Sequence, residues 1–117
     1  MALVSVAVVG IGGSAGAVCR YGVSELLERR AIDTLFVNVF GSFLFGVVLG
    51  MPIDGTAILA IGVGFCGAFT TFSSFAVGTV QLAEDGERAL AALNAVGTLV
   101  LALGAIVVGI EVGSFVG

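Results

Sequence analysis

Hydrophobic residues in this chain fall into four long stretches without a single charge, separated by short polar connections. The charge-free runs are residues 1–19, 34–53, 55–83 and 89–110, which are 19, 20, 29 and 22 residues long. A helix of about 20 apolar residues covers a hydrocarbon core of about 30 Å, so each run is long enough to cross once. No water reaches backbone groups in lipid, so a spanning segment is a helix or part of a closed barrel. Runs this long without alternation of apolar and polar positions are helical. The pattern predicts an all-α membrane protein, a single four-helix transmembrane domain over residues 1–117 with spans at about 2–20, 34–53, 56–82 and 89–111. The first run lacks a basic start and its removal would leave a three-helix remnant, so it is expected to be a span and not a cleaved signal peptide.

Composition adds the sign of the charges to this picture. Only 10% of the residues are charged, against about 25% in an ordinary soluble domain. Arg20, Arg29 and Arg30 lie in or beside the first connection and Arg88 in the third, so all four fall on one side of the membrane. The side with both termini and the Asp54 turn has no basic residue. The positive-inside rule then predicts a multi-pass protein of the plasma membrane with both termini outside and the arginines in the cytoplasm. A net charge of -4 with no clustered basic face argues against a nucleic-acid partner. An acidic chain without lysine fits a salt-rich cytoplasm or a GC-rich genome. There is no histidine and no nucleophile set beside a base, so an enzyme is not expected. Cys19 and Cys66 lie in or beside different spans without metal-ligand spacing and read as small buried hydrophobes.

Nineteen glycines stand where average usage would give about 8. Gly12 and Gly16, Gly46 and Gly50, and Gly109 and Gly113 form small-xxx-small pairs, which let helix backbones approach closely in lipid. Thr34, Asn38 and Ser42 follow at i, i+4 and i+8 and stack on one face of the second span. Asn38 is costly at membrane depth unless it is met by another helix or offers its N–H donors to a passing ion. Asn94 and Thr98 repeat the spacing more faintly in the fourth span.

The third run holds the stretch from Gly62 to Phe75, with three glycines followed by Thr70, Thr71, Ser73 and Ser74. It predicts a helix interrupted near the bilayer centre, with a break at Gly67 to Thr71. Irregular backbone at that depth must be buried in protein or line a cavity, and carbonyls freed there can coordinate a cation. The competing reading is an unbroken helix whose hydroxyls bond back to i-4 carbonyls. Phe72 and Phe75 share a helical face, as do Phe36, Phe40 and Phe43. Phenyl rings have positive edges that attract an anion, although such a spacing also serves lipid contact or packing. Arg20, at the cytoplasmic end of the first run, either snorkels to the interface or gives the mouth of a passage a positive field. Hydroxyl and amide donors, aromatic edges and spans without a carboxylate together suit a small anion.

Three blocks carry a resemblance: residues 12–21 (GGSAGAVCRY), 34–43 (TLFVNVFGSF) and 64–75 (GFCGAFTTFSSF). They resemble, in order, the signature blocks of the Fluc (CrcB) fluoride channels, and the four spans extend the likeness over the whole chain. The resemblance implies a double-barrelled antiparallel dimer that conducts fluoride out of the cell passively and holds a structural, untransported sodium ion at its centre. By the same likeness, backbone carbonyls of Gly67 and Thr70 would hold the sodium. Phe72 and Phe75 would be the pore-lining phenylalanines, Asn38 the asparagine beside the pore, and Thr71, Ser73 and Ser74 part of the hydroxyl track. Arg20 would be the vestibule arginine. The chain departs from the family pattern at Ala68, at Ala76 and at Asn94 and Thr98, which leaves the outer hydroxyl track open.

An antiparallel homodimer requires one chain to insert both ways, which is easiest when the arginine bias is near zero. Here the bias is four to none, so the chain is expected to insert one way and to pair with a homologous subunit of opposite bias, a heterodimer in place of a homodimer. The alternatives are a non-conducting partner subunit and a small multidrug-type exporter. The latter needs a membrane-embedded carboxylate for proton coupling, and residues 1–19 contain none.

Overall fold

The computed structural model describes residues 2–27 and 30–117. Met1, Glu28 and Arg29, the last of which counts toward the topology argument, lie outside the described residues. The first two helices are α1 (Ala2–Leu26) and α2 (Arg30–Gly50). The third crossing is made in two pieces. A continuous helical run, α3, covers residues 55–69, and α4 (Phe72–Glu84) follows after a two-residue gap. The chain ends with α5 (Arg88–Val116). Four segments are long and apolar enough to cross a membrane: Ala2–Leu26, Ile32–Gly50, Gly55–Glu84 and Arg88–Val116. The long axis of 49 Å matches a bilayer of about 40–45 Å with its headgroups.

Short polar signals set the ends of these helices. Asp54 caps α3, its Oδ1 accepting from the Ala57 N–H at 2.9 Å. α4 stops at Gly86, whose φ of +83° is open to glycine and strained for other residues. There Glu87 N–H donates to Leu82 C=O and Gly86 N–H to Ala83 C=O, the paired bonds of a Schellman turn.

Packing is by glycine more than by large apolar side chains. α2 lies along α5, and α1 along α3. A Cβ on Gly46 or Gly50 would run into the Ile106 or Ile110 carbonyl of α5. One on Gly109 or Gly113 would run into the Phe43 or Val47 carbonyl of α2. Gly12 and Gly16 meet the backbone of Ala60 and Phe65 in the same way. All three small-xxx-small pairs therefore lie at helix contacts. Side chains on the outer faces, such as Leu93, Leu99 and Val100, stay exposed, as suits a chain whose solvent is hydrocarbon.

Within α3, Ile58–Cys66 is wound as a π-helix and Gly67–Phe69 returns to the α form. Gly67 itself is helical, at φ -62° and ψ -38°. The expected break at Gly67 to Thr71 is thus narrowed to Thr70 and Thr71, the two extended residues. Glycine at 62 and 64 serves close packing: Gly64 faces Val9 and Gly12 of α1, and Gly62 faces the Phe45 ring.

The expectation that no span holds a carboxylate is corrected by the exposed Glu25, Glu84 and Glu111 toward the span ends and, inside the protein, by Asp33. It lies in the first turn of α2, inside the second membrane-spanning segment, and is only 6% exposed. An ion pair with Arg20 makes that burial tolerable.

Candidate functional site

The break in the third crossing is built by side chains that replace helical hydrogen bonds. Thr71 N–H, which would otherwise close a turn on the Gly67 carbonyl, donates to Asn38 Oδ1 at 2.8 Å. Asn38 Nδ2 donates in return to the Thr71 carbonyl at 3.2 Å. Ser74 N–H, the helical partner of the Thr70 carbonyl, donates to Thr71 Oγ1 at 3.1 Å. Thr71 is thereby the N-cap of α4, and the carbonyls of Gly67 and Thr70 are released from their helical donors. Asn38 is a structural clamp that also borders the cleft beside the break. Its amide holds the irregular backbone where no water could.

The two helix ends at the break differ in sign. α3 ends there with carbonyls outward, a partial negative charge, whereas α4 begins there with N–H groups outward, a partial positive charge. A side chain on Gly41 would strike Thr70 and Phe69, so the glycine of α2 admits the break between the helices. Phe69 is buried, stacked on Phe65 at 5.7 Å and set edge-on to Phe40 at 6.1 Å. These rings anchor the end of α3.

Beside the break lies a cleft of about 270 Å³ whose walls include Asn38, Ser42, Thr70, Phe72, Phe75 and Thr98. The rings of Phe72 and Phe75 are 5.9 Å apart. Thr98, buried on α5, brings the fourth span to this site. Toward the arginine-bearing end follows a second cavity of about 170 Å³, lined among others by Thr34, Ser74, Phe75, Gln81, Asp85 and Asn94. Phe75 belongs to both, so the two cavities meet at its ring. Thr34, Asn38 and Ser42 line this succession in order, as their spacing predicts. Asn94 Nδ2 donates to Thr79 Oγ1 at 2.8 Å, and Thr79 Oγ1 donates to the Phe75 carbonyl at 2.8 Å. Thr79 had no signal in the sequence beyond its hydroxyl, one turn after Phe75.

Arg20 is held by side chains of three helices, with its side chain 20% exposed. Its Nη1 lies 3.2 Å from Asp33 Oδ1 and donates to Ser24 Oγ at 2.6 Å, while Nη2 donates to Ser74 Oγ at 3.4 Å. Ser24 Oγ also donates to Asp33 Oδ2 at 3.0 Å. The guanidinium therefore faces the second cavity through Ser74 with its charge offset by a carboxylate. Phe72 is 79% exposed and Ser73 is exposed, so within one chain these two project outward while Asn38, Thr70, Thr71, Ser74 and Phe75 are brought together. Phe36, Phe40 and Phe43 line a separate, wholly apolar groove with Leu101.

Gly67 and Thr70 bound a further hollow with Gly41, Ser42 and Cys66, which shares Ser42 and Thr70 with the cleft. Among the described residues no three His, Cys, Asp or Glu side chains cluster as metal ligands. The oxygens nearest the break are backbone carbonyls and the hydroxyls of Thr70 and Ser42. The two freed carbonyls are hard donors suited to such a cation, but two do not complete a coordination shell. Cys19 and Cys66 are both free thiols.

A family model described as "CrcB-like protein, Camphor Resistance (CrcB)" matches residues 7–110. The chain is 60% identical over 114 residues to a fluoride-specific ion channel FluC 2 of Natronomonas pharaonis, covering 97% of this chain and 98% of the relative. It is 51% identical over 105 residues to a fluoride-specific ion channel FluC 2 of Haloarcula marismortui, covering 88% of each. It is 40% identical over 104 residues to a fluoride-specific ion channel FluC of Thermus thermophilus, covering 81% of this chain and 83% of the relative.

Proposed function

The chain belongs to the Fluc/CrcB family, and from that premise we propose that it is a subunit of a passive, fluoride-selective channel that exports the ion from the cytoplasm. A channel is not an enzyme, and no bond is made or broken. The observation that carries this reading is the broken third crossing. Asn38 holds a helix N-terminus open at membrane depth beside a cleft walled by hydroxyls and by Phe72 and Phe75.

Fluoride is small and strongly hydrated, so a selective path must replace its water with fixed donors. The N-terminal end of α4, the hydroxyls of Thr71, Ser73 and Ser74, and the spare N–H of Asn38 supply donors that need no rearrangement. The ring edges of Phe72 and Phe75 favour an anion over a cation. Arg20 lends the cytoplasmic end a positive group through Ser74. With both termini outside, the membrane potential drives the anion outward at about 2.3 kcal/mol per charge per 100 mV. The exposed Phe72 and Ser73 are where a second subunit would complete the path.

The carbonyls of Gly67 and Thr70 fit a structural sodium ion, with a second subunit supplying the remaining oxygens. Bound there, the ion would neutralise outward-facing carbonyls at the dimer centre and would not be transported. Liposomes carrying the assembled channel, this chain together with whichever subunit completes it, are expected to release fluoride down its gradient without a proton gradient, measured with a fluoride electrode. Chloride should remain trapped. Replacing sodium throughout with a large organic cation should abolish release. Fluoride retention in sodium would overturn the channel reading, and sodium-independent release would overturn the sodium site alone.

The arginine asymmetry favours a second reading of the assembly, in which the partner is a homologous subunit of opposite bias and not a second copy. This chain expressed alone is then expected to insert in a single orientation, reported by protease access to a terminal tag in sealed membranes. Fluoride-conducting antiparallel dimers of the chain alone would refute it. A silent partner role is disfavoured because the cleft is built in this chain. A proton-coupled exporter is disfavoured because the buried carboxylate, Asp33, is committed to Arg20.

A further inference from the structure

Asp33 is the only buried carboxylate among the described residues, and it stands beside the path of an anion. Its Oδ1 pairs with Arg20 Nη1 at 3.2 Å and its Oδ2 accepts from Ser24 at 3.0 Å. The other amino group of the same guanidinium donates to Ser74, a wall of the 170 Å³ cavity. The next residue in α2, Thr34, lines that cavity too. Thr34 is 7% exposed, and its Oγ1 has no hydrogen-bond partner among the described residues. Arg20 is thus held between a carboxylate behind it and a polar cavity in front.

We propose that Asp33 sets how strongly Arg20 attracts the permeating anion, acting as a positioning and charge-offsetting residue for conduction. This rests on the fluoride-channel reading. A bare guanidinium in a narrow, poorly hydrated passage would capture an anion strongly, and conduction requires a site weak enough to leave. With Asp33 in place the pair is a dipole. Its field falls off faster than that of a single charge, so the anion is drawn to the cavity without being held there. Ser24 serves the same end, since it accepts from Arg20 and donates to Asp33, fixing both groups in one orientation.

The test is unitary fluoride current in planar bilayers as a function of fluoride concentration, for the assembled wild-type channel and for Asp33→Asn. Current through a single channel does not depend on how much protein folds, so a merely structural role of Asp33 would not move it. Removing the negative charge is expected to raise unitary current at low fluoride by about threefold or more. The half-saturating fluoride concentration should fall by a similar factor, and at high fluoride the current should drop below the wild-type level because the ion leaves more slowly. Asp33→Glu, which keeps the charge, is expected to follow the wild-type curve more closely than the asparagine variant does. If Asp33→Asn does not assemble, Asp33→Ser removes the same charge, keeps an oxygen acceptor and carries the same expectation. Superimposable curves for the wild type and the charge-removed variant, or a shift toward weaker attraction, would overturn the proposal. A wild-type protein that passes no fluoride would instead overturn the channel reading on which it rests.

Discussion

Replacing Asn38 with alanine is expected to abolish fluoride conduction while leaving a membrane-inserted helical protein. The side chain makes two hydrogen bonds to one residue, Thr71, accepting from its N–H at 2.8 Å and donating to its carbonyl at 3.2 Å. The N–H lies in the break, where no helical carbonyl meets it, whereas the carbonyl, at the N-cap of α4, also accepts the first bond of that helix. Leaving a buried polar group unpaired costs about 1–3 kcal/mol. One half-buried donor left unpaired, together with the lost second bond to the carbonyl, makes about 2 kcal/mol a fair sum, and at 1.4 kcal/mol per tenfold the ordered break falls in population by about 30-fold. Thr71 also caps α4 through its hydroxyl, so the start of α4 loses its position together with the break. The check is initial fluoride efflux from liposomes reconstituted at equal protein density, with circular dichroism to confirm helix content. Wild-type efflux from Asn38→Ala would show that the break holds its shape without the clamp.

The second large effect is expected at the α2–α5 seam. Gly109→Val places a branched side chain against the Phe43 carbonyl, 2.9 Å from Val47 N and 3.1 Å from the Gly46 carbonyl carbon by the position of its Cβ alone. These are backbone atoms that cannot turn aside. The two helices must separate, and in lipid no hydrophobic force draws them together again, since close van der Waals contact is itself the driving force. Overpacking in a well-packed interior costs about 1–3 kcal/mol, and loss of the contacts along Gly46, Gly50 and Gly113 adds to it. The variant should unfold at markedly lower denaturant in detergent, or fail to accumulate as monodisperse protein. Gly97→Ala, where nothing lies within 4 Å of an added Cβ, should retain wild-type stability. Equal stability of Gly109→Val would show that the seam is looser than its geometry implies.

These two sites differ in how openly the sequence announces them. Gly109 and Gly113 are recognisable as contact residues from their four-residue spacing, because lipid removes every other cheap way for helices to attract. Which helix they meet is a matter of three-dimensional arrangement. Asn38 is conspicuous as a carboxamide at membrane depth, but its partner lies 33 residues away, a distance at which no local pattern speaks. Thr79 and Ser24 were silent in the sequence for the same reason. Their hydroxyls are ordinary until a distant amide or guanidinium is brought to them.

The scarcity and placement of charge were enough to establish four membrane-crossing helices, since burying a charge in hydrocarbon is so costly that twelve charged residues mark the ends of the runs almost without ambiguity. Three local blocks were enough to indicate the family. Local pattern placed the break only to within Gly67 to Thr71, because glycine serves both close packing and irregular backbone. Folding assigned Gly62 and Gly64 to packing and left the interruption to Thr70 and Thr71, where Asn38 supplies the missing bonds. The charge state of the arginine-bearing end was equally hidden. Arg20 and Asp33 are 13 residues apart on different helices, and they become a single neutral pair when α1 and α2 bring them together, because neither charge could remain buried without the other.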